Sequence, residues 1–377
     1  MRGQTDPQMM MFYTVDVETL IPAAHPLRAF KRRVDAELRA MRRDIDAAYS
    51  ATGRPGIPAE QLIKATLLQA LFSIRSERQL CEQIHYNILY RWFLDLSLED
   101  GVWDHSTFTK NRERFAEAGL MARFFQGSVV AAIKEEAASR EHFSVDGTLI
   151  EAWASMKSFR PKDEEPPTGG GGEGDGQNPS NRWVDWKGEK RSNATHESKT
   201  DPEARLARKS AGQSSLLAHS LHVLMENRNG LIMGLDLRQA GGEAEREAAL
   251  ALLEQAARNR RLEPKTVGAD KGYDDGAFLL KVEQDFQIEP HVAIREGMMV
   301  VEGPESMARF KARCRQEEAG YTISQRCRKR VEEIFGWLKT VGGLRKTRFV
   351  GQWKTELYAQ AAGATWNLLR LCSLTAA

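Results

Sequence analysis

The N-terminal third of the chain carries its hydrophobic residues at helical spacing, without convincing strand alternation. Residues 25–49 are charged and amphipathic, and residues 61–76 repeat leucine along one face. Further helices are predicted over residues 77–93 and 104–134, the latter preceded by capping side chains. We therefore predict an all-helical N-terminal domain over residues 1–139.

The hydrophobic period changes from helix to strand after residue 140. Residues 143–150 alternate between the two faces of a half-buried strand, and two apolar runs at residues 216–225 and 231–237 flank an Asn-Gly turn typical of a hairpin. A helix over residues 243–260 and short strands over 265–269 and 291–294 follow. This order predicts a mixed α/β class, with a mixed sheet flanked by helices over residues 140–377.

One segment of this second domain has the composition of a linker. Residues 160–180 are so rich in proline, glycine and acidic residues that they cannot bury enough apolar surface to become ordered. We predict a flexible insertion there.

Composition excludes several classes of protein. Hydrophobic residues make up 41% of the 377 residues and charged residues 28%, which fits neither a disordered chain nor a membrane protein. Four scattered cysteines without a CxxC pair argue against a disulfide framework and a structural zinc site. With no export signal visible at the N-terminus, a cytoplasmic protein is expected.

The overall net charge of +2 does not indicate a polyanionic partner, but the local charge does. Residues 311–348 contain eleven Lys or Arg and four Glu. Such an excess suits contact with phosphates, although a basic tract is often only a solvated face.

Three carboxylates stand where a metal site could form. Asp146 lies within a predicted strand, Asp270 closes another, and Glu332 lies in a predicted helix over residues 324–340. Considered alone, each aspartate is more typical of a turn-forming or capping residue. The helix alone is more typical of a surface helix with an ordinary Arg328–Glu332 ion pair one turn apart. Together, carboxylates from separate rigid elements are what a two-metal site needs.

A helical wheel adds detail to the third element. On one continuous helix, Gln325, Arg328, Glu332 and Lys339 share a narrow polar stripe beside an apolar face. Such a helix would pack against the protein and direct Glu332 from the edge of the buried face.

At this point the sequence resembles the DDE transposases of bacterial insertion sequences, specifically the insertion-sequence-five group. Members carry Asp, Asp and Glu in this order, the Glu inside a Tyr-x2-Arg-x3-Glu-x6-Lys signature. Arg328, Glu332 and Lys339 keep that spacing, whereas Gln325 replaces the tyrosine. The segments RPGIPAEQLIKATLLQALFSIRSERQLCEQI and DHSTFTKNRERF are also similar to the helical region of such proteins.

The resemblance implies a fold, a cofactor and a reaction. The fold would be a ribonuclease-H-like five-stranded mixed sheet, with Asp146 on the first strand and Asp270 at the end of the fourth. Asp146, Asp270 and Glu332 would be the catalytic metal ligands for two Mg²⁺ ions, with Mn²⁺ able to substitute. The chain would bind the terminal inverted repeats of its element and catalyse strand cleavage followed by strand transfer.

The same resemblance implies double-stranded DNA, both element ends and target, as partner. The helical domain over residues 1–139 would then bind DNA or mediate dimerisation. A homodimer on the ends is expected, with no small-molecule substrate, no membrane and a nucleoid-associated location. Trp337 and Trp353 are candidates for stacking on an unpaired base, although such residues are more often core. The candidate phosphate contacts are Arg326, Arg328, Lys329, Arg330, Lys339, Arg345, Lys346 and Arg348. Lys110 and Arg112 are further candidates for DNA contact, although the predicted helix that carries them fits a purely structural role equally well.

Two other functions remain open from the sequence. A nuclease could cut without joining, and a domesticated DNA-binding protein could keep the fold without the chemistry. The ordered carboxylates favour the transposase over both.

Overall fold

The computed structural model describes residues 16–50, 52, 56–162, 191–208, 212–297 and 301–376. The predicted flexible insertion lies outside the described residues from position 163 onward. Its first residues belong to a short strand.

Eight helices form the first part of the described chain, as the hydrophobic pattern predicts. Three predicted helices are each split in two. Asn87 interrupts the second because its side chain accepts a hydrogen bond from the Leu89 amide and starts a new helix. Gly119, with a φ of 61°, interrupts another in the left-handed conformation that glycine tolerates. The helices are α1 (Val17–Leu20), α2 (Leu27–Ala40), α3 (Arg42–Ala47), α4 (Ala59–Leu71), α5 (Glu77–Tyr86), α6 (Ile88–Phe93), α7 (Ser106–Glu117) and α8 (Leu120–Lys134).

Eight strands follow, six of them in one mixed sheet. They are β1 (His142–Glu151), β2 (Phe159–Pro161), β3 (His196–Ser198), β4 (Arg205–Ala207), β5 (Leu216–Glu226), β6 (Ile232–Gln239), β7 (Thr266–Ala269) and β8 (Glu289–Val292).

The strand order across the large sheet is β6-β5-β1-β7-β8. β1, β7 and β8 run parallel, and β5 is antiparallel to both β1 and β6. This arrangement confirms the predicted mixed sheet, including the hairpin. Short β4 adds to the end of β5 as a sixth strand, and β2 pairs with β3 separately.

Helices cover both faces of the sheet. On β6, a Cβ at Gly234 would lie 2.8 Å from Leu252 of one helix, whereas Leu235 reaches Gly363 of another. Because neighbouring strand residues point to opposite faces, these two helices lie on opposite sides. The helices of this part are α9 (Ala244–Arg258), α10 (Gly276–Gln284), α11 (Pro304–Arg315), α12 (Ala319–Arg328), α13 (Val331–Thr340) and α14 (Gln352–Ala376).

The predicted continuous helix over residues 324–340 is wrong. It is divided into α12 and α13, and the backbone tightens between them, where the Glu332 amide bonds the Lys329 carbonyl three residues back. At this break the Arg330 guanidinium donates to the carbonyls of Asn227 and Arg228 in the β5–β6 turn. The polar stripe drawn on one helix therefore does not continue from Arg328 to Glu332.

Most of the buried hydrophobic residues that the structure describes belong to one cluster that extends from Val17 to Leu371, and a small second cluster surrounds Phe159. Helix α14 contacts α2, α4, α7 and α8 as well as β6, so the first helices pack against the last one. The division at residue 139 stays a prediction. Among the described residues, no helix is both long and apolar enough to cross a bilayer.

Candidate active site

The two aspartates occupy matching positions on neighbouring parallel strands. β1 and β7 pair His142 with Thr266 and Ser144 with Gly268. The same register, continued by two residues, sets Asp146 opposite Asp270. Neighbouring parallel strands lie about 4.8 Å apart, and residues in matching positions point to the same face of the sheet. Both carboxylates therefore lie close together just beyond the last β1–β7 pair.

Asp146 is held by two donors. The Gly147 amide lies 2.8 Å from one carboxylate oxygen, and Arg328 Nη1 lies 3.2 Å from the other. Burial, with smaller contributions from the charges of Asp270 and Glu245, raises the pKa of Asp146 to about 6, against the opposing effects of Gly147 and Arg328. The site thus concentrates negative charge that a single arginine does not neutralise.

Asp270 follows β7 and caps the short 3₁₀ helix Lys271–Tyr273. Its carboxylate accepts a hydrogen bond of 2.7 Å from the Gly272 amide. A Cβ at Gly272 would lie 2.9 Å from this carboxylate and 3.4 Å from Glu245 Oε2. Glycine here leaves room for the carboxylates to approach each other.

Glu245 is a residue that the sequence analysis missed. It lies in the first turn of α9, and its Cγ would be 3.5 Å from a Cβ at Gly147. Burial and the charge of Asp270 raise the pKa of Glu245. The sequence offers little signal for it, because an acidic residue in the first turn of a helix is an ordinary feature.

Glu332 lies in the first turn of α13, a helix that contacts β1. Its side chain is exposed and makes no hydrogen bond or ion pair with the rest of the described chain. No three His, Cys, Asp or Glu side chains among the described residues are arranged as a complete metal site. The structure therefore brings Asp146 and Asp270 together and leaves Glu332 apart.

The residues present fit a hard divalent cation. Asp146, Asp270 and Glu245 offer only carboxylate oxygens, the donors that Mg²⁺ and Mn²⁺ prefer. Burial, and to a smaller extent their mutual repulsion, raises the pKa of Asp146 and Glu245, and a bound cation would relieve the repulsion.

Gln325, which replaces the signature tyrosine, joins α12 to two strands. Its Nε2 donates to the carbonyls of Ala269 at 3.1 Å and His291 at 2.6 Å. Its Oε1 accepts from Arg328 Nε at 3.3 Å, which orients the arginine towards Asp146. A glutamine at this position thus has a structural role that needs no phenol.

The candidate phosphate contacts divide into two groups. Besides Arg328, which pairs with Asp146, four are bound within the protein: Arg330 holds the β5–β6 turn, Lys346 pairs with Glu151 at 2.7 Å, Arg348 donates to the Ile74 carbonyl and Arg112 pairs with Glu77. Lys339 is half-buried. The remaining members, Lys110, Arg326, Lys329 and Arg345, are exposed.

The candidate stacking residues also differ. Trp337 packs against Trp366 with the ring centroids 5.7 Å apart. Trp353 is 38% exposed, and the Lys354 ammonium lies 5.2 Å from the centre of its ring. Trp153, just beyond β1, is 55% exposed and was not among the predicted residues.

Comparisons with known proteins identify two matching family models. One described as a transposase domain (DUF772) matches residues 15–114, and one described as a transposase DDE domain matches residues 182–368. No curated protein matches the chain.

Solved structures of Mos1 transposase complexes are distantly similar. The paired-end complex with the left transposon end has 11% identity over 78% of this chain and 82% of that chain, with a TM-score of 0.20. The pre-cleavage transpososome has 12% identity over 80% and 83%, with a TM-score of 0.20. The assignment to a family rests on the two family models.

Proposed function

Because this chain belongs to the DDE transposases, we propose that it binds the terminal inverted repeats of an insertion sequence and catalyses DNA strand cleavage and strand transfer. The observation that carries this proposal is the matched register of Asp146 and Asp270 beside Arg328. Two carboxylates held by a rigid sheet, next to an arginine, suit metal-dependent phosphoryl transfer.

The residues of this chain would have different roles in the reaction. Asp146 and Asp270 would hold a divalent cation, which supplies charge stabilisation for an attacking or leaving oxygen when bound. Glu332 would join them once DNA is in place, because α13 contacts β1 and the Glu332 side chain makes no hydrogen bond or ion pair within the described residues. Arg328 would exchange its pairing with Asp146 for the phosphate that undergoes the reaction.

The exposed basic residues would provide affinity for the DNA backbone. Arg326 and Lys329 lie on either side of Arg328 in the chain, and Lys110 lies on the exposed part of α7. Their contribution should weaken with added salt, as counterion release requires. We further propose two Mg²⁺ ions per site with Mn²⁺ as substitute, a homodimer on paired ends, and a cytoplasmic, nucleoid-associated location.

Gel analysis of cleavage and joining tests this function, on DNA carrying the flanking ends of the element with Mg²⁺ or Mn²⁺. Asp146→Asn and Glu332→Gln should each reduce cleavage by about two orders of magnitude or more, because a ligand carboxylate is lost. End binding should persist in both. Glu333→Gln is the matched control, since Glu333 is the exposed neighbour of Glu332.

The outcomes separate the alternatives. Cleavage without joining of a precleaved end would identify a nuclease. End binding without cleavage by the unmodified protein would favour a domesticated DNA-binding protein. Equal activity of Glu332→Gln and Glu333→Gln would remove Glu332 from the site.

A further inference from the structure

We propose that a cleft between α12 and the first residues of β1, β7 and β8 binds a nucleobase, carried either by a free nucleoside or by an unpaired nucleotide of DNA. The residues that line this cleft do not include Asp146, Asp270 or Glu332. The inference therefore goes beyond the proposed function and does not depend on it.

The cleft lies between one helix and one face of the sheet. Its volume is about 440 Å³, which is within the range of small-molecule sites. One wall is formed by His142, Thr266 and Glu289, which are paired neighbours at the first positions of the three parallel strands. The opposite wall is formed by four residues on one side of α12: Gly320, Ile323, Ser324 and Cys327.

Ser324 lines the cleft with a hydroxyl that lacks a partner. The residue is 4% exposed, and its Oγ has no hydrogen bond among the described residues. A Cβ at Gly268, which follows Thr266 on the same face of β7, would lie 3.0 Å from this Oγ and 3.1 Å from that of Ser144. Ser144 already donates to Asn227 at 2.7 Å. Glycine at position 268 therefore leaves space beside a hydroxyl that still needs a partner.

His291 is a second buried lining residue with an unpaired atom. It is 3% exposed, and its Nε2 lies 2.8 Å from Oε1 of Glu289. Because a carboxylate only accepts, Nε2 carries the proton, and Nδ1 is the acceptor of the neutral ring that has no partner. A Cβ at Gly320 would lie 3.6 Å from Cε1, so no side chain of α12 covers this edge of the imidazole.

These walls suit a flat, neutral molecule with donors and acceptors on its edge. Ser324 offers a donor and His291 an acceptor at the buried side, while Ile323 supplies apolar surface. Arg228 and Glu289 line the same cleft with opposite charges, which favours a ligand without net charge. A nucleobase combines a planar ring with neighbouring donors and acceptors, and proteins bind unstacked bases through these edges.

An ordered water is the plainer occupant, because a buried water commonly satisfies polar groups that lack a protein partner. Water and nucleobase make different predictions. A cleft that holds only water shows no saturable binding of a nucleoside. A nucleobase site shows binding that depends on both the Ser324 hydroxyl and the space above His291.

Binding of guanosine, adenosine, cytidine and thymidine to the full chain, each measured by equilibrium dialysis in Mg²⁺-free buffer, provides the test. At least one nucleoside should bind saturably. Ser324→Ala should raise its Kd about fivefold or more, because a hydrogen bond is lost. Thr322→Ala, the loss of an exposed hydroxyl on the same helix, should change the Kd less than about twofold.

Gly320→Leu tests the space rather than the hydrogen bond. Its side chain would fill the cleft above His291 and should raise the Kd about tenfold or more. The melting temperature should be unchanged or higher, since glycine within a helix is unfavourable. An intact thermal transition therefore separates loss of binding from loss of folding.

A DNA competition distinguishes the two sources of the base. If a duplex with one unpaired base displaces the nucleoside better than the same duplex fully paired, the base belongs to DNA. Equal displacement identifies a free nucleoside as the ligand. No saturable nucleoside binding, together with no preference for the unpaired base, would overturn the proposal, as would binding that Ser324→Ala and Gly320→Leu both retain. The cleavage assay decides the proposed function independently of these results.

Discussion

At the scale of single residues, His222 on β5 is buried in an unusual way. It lies opposite Gly147 of β1 and Asp236 of β6, it is 1% exposed, and neither ring nitrogen has a hydrogen-bond partner among the described residues. Burial lowers the pKa of His222 to about 4, with Arg238 lowering it and Asp236 raising it. The imidazole is therefore neutral in the folded protein at physiological pH.

This burial makes the folded state sensitive to acid. In the unfolded chain His222 is protonated below about pH 6.5, whereas in the folded protein it stays neutral down to about pH 4. The free energy of unfolding therefore decreases as the pH is lowered from about 6.5 to about 4. His222→Gln should reduce the loss between pH 7.5 and 4.5 by about 2–3 kcal/mol, measured by urea unfolding at both values.

His85→Gln is the control, because His85 is exposed on α5. Comparing the change with pH, rather than the stability at one pH, removes the cost of burying the glutamine amide. Equal pH slopes for His222→Gln and the unmodified protein would contradict the assignment.

At the scale of elements, the break between α12 and α13 depends on Arg330. Its guanidinium satisfies two carbonyls of the β5–β6 turn immediately before α13 begins, so we expect it to hold this end of α13 against the turn. Arg330→Ala should lower the free energy of unfolding by about 1–3 kcal/mol, since it leaves these carbonyls without a charged donor. Denaturant titration measures the change.

Lys329→Ala provides the neighbouring comparison. Lys329 is exposed, so its loss should change stability little while reducing DNA affinity and the salt dependence of binding. If both variants showed the same stability, the contact with the turn would not be what sets the break.

The same elements show what the sequence could predict. The hairpin was predicted because its Asn-Gly turn and alternating flanks are local signals, and the structure confirms it with Gly230 at a φ of 73°. The helix break was not predicted, because Arg330 contacts residues about a hundred positions away in the chain. Glu245 was not predicted for the same reason, because it lies near Asp270 only in the folded protein.

At the scale of the whole molecule, α14 joins the two predicted domains. It contacts α2, α4, α7 and α8, while Arg348 just before it donates to the carbonyl of Ile74. Expressed alone, residues 1–139 should lack a cooperative thermal transition in circular dichroism, because their apolar faces would lose this helix. The full chain serves as control, and a sharp transition in the fragment would support an independent N-terminal domain.

The packing of α14 also affects the order of events during synthesis. The ribosome makes this helix after every other described element, yet the earliest helices need it to cover their apolar faces. Domains usually fold from the N-terminus as they emerge. Here the first helices can complete their packing only after α14 has been synthesised. A product truncated before Gln352 would therefore expose hydrophobic helices that chaperones and proteases recognise, and it would not form a DNA-binding fragment that competes with the full chain.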